Sequence, residues 1–77
     1  MARASYYQDR RPVIIKLLKS SAAQHQRPPT VRDLASAADV SVATMHGYLS
    51  RLSSEGLVTW NPGRHRSLRL TRLGEEQ

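Results

Sequence analysis

The sequence predicts an α+β fold that is mainly α, with three helices followed by a two-stranded β-hairpin. Apolar residues recur at helical spacing in three segments. Capping residues and a Pro-Pro pair separate those segments. After Gly56 the apolar period changes from about 3.6 to about 2, which marks the passage from helix to strand.

The first helix is expected over about 9–24. Ile14, Leu17, Leu18 and Ser21 share one face, and Asp9 is placed to act as N-cap. Pro12 then falls in the first turn, where amides have no intrahelical partner. Arg27-Pro28-Pro29 ends the helix, because proline and the residue before it both resist helical backbone. Thr30-Val31-Arg32-Asp33 has capping-box spacing and opens a second helix over 31–38. Val31, Leu34, Ala35 and Ala38 form its apolar stripe. Asp39 tolerates the left-handed backbone a break requires, Ser41 caps a third helix over about 41–55, and Gly56 terminates it. Two helices joined by so short a turn make a helix-turn-helix. Leu57 to Trp60 is β-prone, Asn61-Pro62-Gly63 is turn chemistry, and Ser67 to Thr71 alternates. The hairpin therefore covers about 57–71, with Gly63-Arg64-His65-Arg66 at its tip. In this order the elements describe a winged helix-turn-helix, one domain over 1–77 with an ordered core of about 6–72.

The chain has 77 residues, too few for a two-domain enzyme. Its 39% apolar content is enough for a small helical core and too high for a disordered tail. A net charge of +6 on so short a chain points to a polyanionic partner. Cysteine is absent, which excludes disulfides, thiolate zinc sites and a cysteine nucleophile. His25, His46 and His65 lie too far apart in sequence for a ligand motif, so neither metal nor cofactor is expected. No paired carboxylates and no glycine-rich phosphate loop are visible, so no catalytic residues are assigned and the chain reads as a non-enzyme. The longest apolar run is Val13-Ile14-Ile15, and the start lacks an apolar leader stretch. No membrane partner is expected, and the anticipated location is cytoplasmic, on the nucleoid.

Placing residues at about 100° intervals separates the faces of the third helix. Val42, Met45, Leu49 and Leu52 form a core stripe. The opposite face carries Ala43, Gly47 and Ser50, flanked by Thr44 and His46. Gly47 in mid-helix costs about 1 kcal/mol relative to alanine, and because it faces away from the core, close approach of an external surface is the better explanation. A flat face rimmed by small polar groups suits the major groove of DNA. Arg64, His65, Arg66, Arg69 and Arg72 gather charge without an intervening acid, which favours phosphate contact or insertion of arginine into the minor groove. Arg64 and Arg66 lie nearest the tip, while Arg69 alternates with Leu68 and Leu70 and reads equally as a contact or as plain surface charge. Arg32, in the first turn of the second helix, and the amide end at Thr30 favour an anion. Arg51 has Glu55 as an i+4 partner, Tyr48 reads as packing, and the cations of the first helix read as a solvated face. Trp60 has two readings, as the core edge under the wing or as a contact for another subunit, with the first preferred.

These residues resemble the DNA-binding domain of LexA-type repressors. Pro28-Pro29-Thr30-Val31-Arg32-Asp33-Leu34 is similar to the Pro-Pro-Thr/Ser-Val-Arg-Glu-Ile stretch that opens the family's second helix. Thr44-Met45-His46-Gly47-Tyr48-Leu49 resembles a Thr-Val-His-Gly-His-Leu recognition segment. Gly56-Leu57-Val58, Asn61-Pro62 and Arg66-Ser67-Leu68-Arg69-Leu70 resemble its wing. GntR-type winged helices share part of this pattern more distantly. The resemblance implies operator binding, with Ser41, Ala43, Thr44, His46 and Gly47 at groove-facing positions and Arg64 and Arg66 on the wing. It does not imply self-cleavage, because the protease part of LexA has no counterpart up to Gln77. The turn before Ser41 is one residue shorter than is typical, which leaves the operator sequence open.

The expected function is sequence-specific binding of double-stranded DNA by a transcriptional regulator, a LexA-like repressor without self-cleavage. The third helix would read the major groove, and the wing over 61–71 would lie on the backbone or minor groove. The expected site is Thr30, Arg32, Ser41, Ala43, Thr44, His46, Gly47, Ser50, Arg64, His65, Arg66 and Arg69. Two copies on a palindromic operator, a homodimer at least on DNA, are the usual way for so small a module to gain specificity. The competing reading is a protein-interaction winged helix, an accessory factor or antirepressor. The polar rim of the third helix argues against it.

Overall fold

Helix α1, Ser5–Ala23, begins earlier than the Asp9 cap expected from the sequence, and Pro12 lies inside it. The computed structural model describes residues 5–24, 27–64 and 66–77, and within it the reason for the longer helix is Tyr7. Its ring is buried in the core, two turns ahead of Ile14 on the face that also carries Ile15 and Leu18. Burying the Tyr7 side chain contributes about 1.5–3 kcal/mol, and its bond to Glu55 and packing on Tyr48 add to this against the roughly 3 kcal/mol an interior proline costs. Pro12 is exposed, as is Gln8, whose carbonyl loses its helical donor, so water can satisfy that carbonyl.

Helix α2, Val31–Ala38, opens on a complete capping box. The Asp33 amide donates to Thr30 Oγ1 and the Thr30 amide donates to Asp33 Oδ2, each at 3.0 Å. The bond from the Thr30 amide first, and then the Thr30 side chain, hold the Asp33 carboxyl below its ordinary range. Asp39 ends α2 in the left-handed region, with φ of 60°, and the Val40 amide reaches back to the Ala35 carbonyl at 3.0 Å. Ser41 then caps α3, Val42–Ser54, its Oγ accepting from the Thr44 amide. Gly56, with φ of 79°, turns the chain out of α3 as expected.

The center of the core comes from all three helices: Ile14 of α1, Leu34 of α2, and Met45, Leu49 and Leu52 of α3 are the largest fully buried side chains. Val42, placed on the core stripe by its spacing, is instead 40% exposed. It is the first residue of α3, directly after the cap, where the turn from α2 leaves its side uncovered.

The hairpin ladder is shorter than the alternation suggested. Strands β1, Val58–Thr59, and β2, Arg69–Leu70, pair antiparallel with Val58 opposite Leu70 and Thr59 opposite Arg69. Beyond Thr59, Asn61 takes over the organisation. Its side-chain oxygen accepts from the Gly63 amide, its carbonyl accepts from the Arg64 amide, and Ser67 Oγ accepts from the Asn61 amide while donating to its carbonyl. Side-chain bonds replace the ladder because Pro62 has no amide to contribute. Leu57, Val58 and Leu68 are buried, so the base of the wing belongs to the core.

A fourth helix, α4, Arg72–Glu75, follows without a sequence signal. Thr71 caps it, and the Thr71 amide and hydroxyl donate to the carbonyls of Leu57 and Gly56 at 3.0 and 2.6 Å. Gly74 lies so close to Leu57 that a β-carbon there would overlap the Leu57 carbonyl oxygen. At the chain end, Arg11 and Lys19 of α1 donate to the Gln77 side chain and carbonyl.

Candidate nucleic-acid interface

Helix α3 is anchored from behind. Tyr7 Oη donates to Glu55 Oε1 at 2.9 Å, Arg11 and Arg51 approach the same carboxylate at 3.7 and 3.6 Å, and the Arg51 guanidinium lies 4.4 Å from the center of the Tyr7 ring. The Tyr48 ring packs on Tyr7 with centroids 5.6 Å apart, as its packing role required. Burial, then the bond to Glu55, push the Tyr7 phenol up to about 12. This cluster fixes the C-terminal end of α3 against α1, while the core stripe fixes its inner face. A helix held on two sides presents its third with little freedom.

That outer face is where the expected reading residues lie. Ala43, Thr44, His46, Gly47 and Ser50 are all exposed. A β-carbon built on Gly47 meets nothing within 4 Å, so nothing in the fold requires glycine there. Ser41 Oγ donates to Thr44 Oγ1 at 2.9 Å, which leaves the Thr44 hydroxyl proton available to an outside acceptor. Ser41 is itself exposed and occupied as the cap.

The wing stands beside this face. The His46 ring lies against the Trp60 ring, with centroids 5.2 Å apart and planes tilted by 56°. Trp60 is half-buried against the core, so it closes the core edge under the wing as preferred above, and it also reaches α3. Its other surroundings form a cleft with Thr30, Arg64 and Arg66. The α3 face, the wing tip and the start of α2 are thus brought together around one aromatic side chain. Sequence reasoning missed this role, because an aromatic ending a strand carries no periodicity that would assign it to a neighbouring helix.

The basic residues divide. Arg64 is exposed at the tip. Arg66, in the left-handed region with φ of 54°, turns inward, its Nη1 donating to the Pro28 carbonyl at 2.8 Å. Its Nε is buried without a partner among the described residues. Arg32 is exposed in the first turn of α2. Arg69 is exposed on β2 but lines a separate groove, with Ser21 and Ala22 of α1 and Glu75 of α4. His65 lies outside the described residues. Among the described residues, no cluster of three or more His, Cys, Asp or Glu could hold a metal ion, and no helix is long and apolar enough to cross a membrane.

Comparison with known proteins agrees with this geometry. The family model of the LexA DNA binding domain matches residues 7–67. The LexA repressor of Ligilactobacillus salivarius is 36% identical over 64 residues, covering 82% of this chain and 31% of its own length. That of Enterococcus faecalis is 35% identical over 65 residues, covering 83% and 31%. That of Limosilactobacillus reuteri is 31% identical over 72 residues, covering 92% and 35%. The chain therefore spans about a third of the length of the curated relatives it matches. No solved structure gives a significant match. With a helix-turn-helix, an open small-residue face on its second helix and a wing beside it, the chain belongs to the LexA DNA-binding domain family.

Proposed function

We propose that this chain binds double-stranded DNA sequence-specifically and acts as a transcriptional repressor, with α3 in the major groove and the wing on the adjacent backbone or minor groove. The observation that carries the reading is the outer face of α3. Ala43 and Gly47 leave it flat and open, Thr44 and His46 supply hydrogen-bonding groups, and Arg64 stands beside it on the wing tip. Thr44 and His46 select the sequence, while Arg32, Arg64 and the first-turn amides of α2 that follow Thr30, whose own amide is taken by Asp33, hold phosphates. Arg66 supports the wing from within and adds positive potential to the same cleft. The site of action in this reading is the nucleoid of the cytoplasm.

A palindromic operator bound by two copies fits the dimensions. Half-sites one helical turn apart place recognition helices about 34 Å from each other. The molecule measures 38 × 24 × 20 Å, so two copies fit side by side when a short axis runs along the duplex.

Fluorescence anisotropy with duplex DNA over a salt series tests the reading. With Arg32 and Arg64 alone on phosphates, log K falls against log salt with a slope of about −2 per copy, and steeper if the Arg69 groove also engages. A slope near zero would remove DNA from the account. Changing Thr44 or His46 should alter preference between duplexes, by about 1–3 kcal/mol for a good base contact. Changing Arg64 should weaken all duplexes alike.

A further inference from the structure

We infer that Trp60 is a specificity-determining residue, which positions His46 for base reading without touching the base itself. The inference rests on the DNA-binding reading above and assigns a role to a side chain that carries no charge and lies outside the expected contacts.

His46 is exposed on α3, so its side chain is free to occupy about three staggered wells, or about six states when the ring flip is counted. The Trp60 ring packs against it, at 5.2 Å and 56°, within the range where tilted aromatic pairs attract. Trp60 is itself restrained, half-buried and packed on the core at the base of the wing. A fixed indole beside a free imidazole selects one imidazole orientation before DNA arrives. A binding-competent conformer populated in full binds more tightly than one populated at a third or a sixth, by that same factor. Trp60 therefore contributes about three- to sixfold to discrimination at the base pair His46 reads. Duplexes that offer His46 no partner are unaffected. The same indole lines the cleft holding Arg64, so a shift of the wing on DNA is felt at His46 and the reverse.

The test uses the whole chain and a duplex that the wild type selects from a randomised pool, together with versions of that duplex changed one base pair at a time. H46A should abolish discrimination at one base pair. W60L, which fills space without an aromatic edge, should reduce discrimination at that same pair about three- to sixfold and leave binding to a scrambled duplex unchanged. W60F should restore most of it. In the H46A background W60L should have no further effect. Equal weakening of every duplex by W60L, or the same effect with and without His46, would show that Trp60 only supports the wing and would overturn the inference. Equal behaviour of W60F and W60L would overturn it too. Trp60 is the sole tryptophan, so its emission reports the contact directly even where W60L unfolds the chain. H46A must change that emission in free protein, and an unchanged spectrum refutes the contact. If the wild type shows no preference among duplexes, the DNA-binding reading fails and this inference with it. If preference exists but H46A leaves it intact, the inference fails together with the reading role of His46, while DNA binding by the chain stands.

Discussion

Replacing Gly47 with alanine should make the fold more stable and the protein a weaker DNA binder. A β-carbon at Gly47 meets nothing within 4 Å, so no packing penalty opposes the helix-propensity gain of about 1 kcal/mol. For a chain of this size that raises Tm by roughly 4–8 °C. In the groove the same methyl enters the closest approach between α3 and the base edges. Overpacking by one carbon costs about 1–3 kcal/mol where neighbours cannot relax, equivalent to roughly 5- to 150-fold in Kd. The slope of log K against log salt should stay at its wild-type value, because no phosphate contact is lost. Calorimetry supplies Tm and anisotropy supplies Kd on the selected duplex. A G47A variant that is stabilised and binds as tightly as wild type would refute close approach at Gly47, and with it the argument for which face of α3 reads DNA. A variant that is destabilised would refute the open environment instead.

Gly74→Ala should act in the opposite way, lowering stability by about 1–3 kcal/mol in thermal unfolding, because its β-carbon overlaps the Leu57 carbonyl oxygen. Duplex affinity at a temperature where the fold persists should not change, since α4 packs on α1 and β2 and leaves the α3 face alone. The Asp33 carboxyl is held below its ordinary 3.8 in the folded chain, so its contribution is present above that value and lost as pH falls through the folded one. Asp33→Asn should therefore cost stability at neutral pH and flatten the loss as pH falls below the ordinary 3.8, as followed by circular dichroism. Arg64→Ala should leave Tm unchanged and make the salt slope shallower by about 0.9. Arg66→Ala should lower stability by about 1.5 kcal/mol through loss of the bond to Pro28, which sets it apart from Arg64 in a melting curve before any DNA is added.

The parts of the fold governed by local chemistry were legible in the sequence. Thr30 with Asp33, Asp39, Ser41 and Gly56 act through backbone groups a few residues away, so their spacing alone announces the two caps and the two breaks. What escaped depends on contacts across long sequence separations. Tyr7 extends α1 only because Glu55, 48 residues later, accepts its hydroxyl proton and Tyr48 covers its ring. Thr71 and Gly74 form α4 only because Leu57 and Gly56 present carbonyls there. Val42 fits the apolar stripe by angle, yet its position at the helix start leaves nothing to cover it. At the candidate site, the identity of the small face of α3 was readable from periodicity. The division of labour among the wing residues was not, since Arg64 and Arg66 look alike in sequence until one of them turns inward.

That division changes how the net charge of +6 should be understood. Arg51 lies on Tyr7 and Glu55, Arg11 bridges Glu55 and Gln77, Lys19 holds the Gln77 carbonyl, and Arg66 holds Pro28. These four cations fasten α3 to α1, the chain end to α1, and the wing to the approach to α2. Arginine suits such tasks because its buried stem packs while its planar head keeps a geometry. Their charge still adds to the long-range field that draws in a polyanion, while each is also engaged in holding the fold. In the proposed reading, contact then falls to exposed cations such as Arg64 on the wing tip and Arg32 in the first turn of α2. Backbone attraction of this kind does not distinguish one duplex from another. In the proposed reading discrimination comes from the uncharged face of α3, and a face that would read with one imidazole and one hydroxyl gains most from having them already oriented. Ser41 orients the hydroxyl of Thr44 through its cap, and Trp60 stands where the imidazole of His46 needs a second wall.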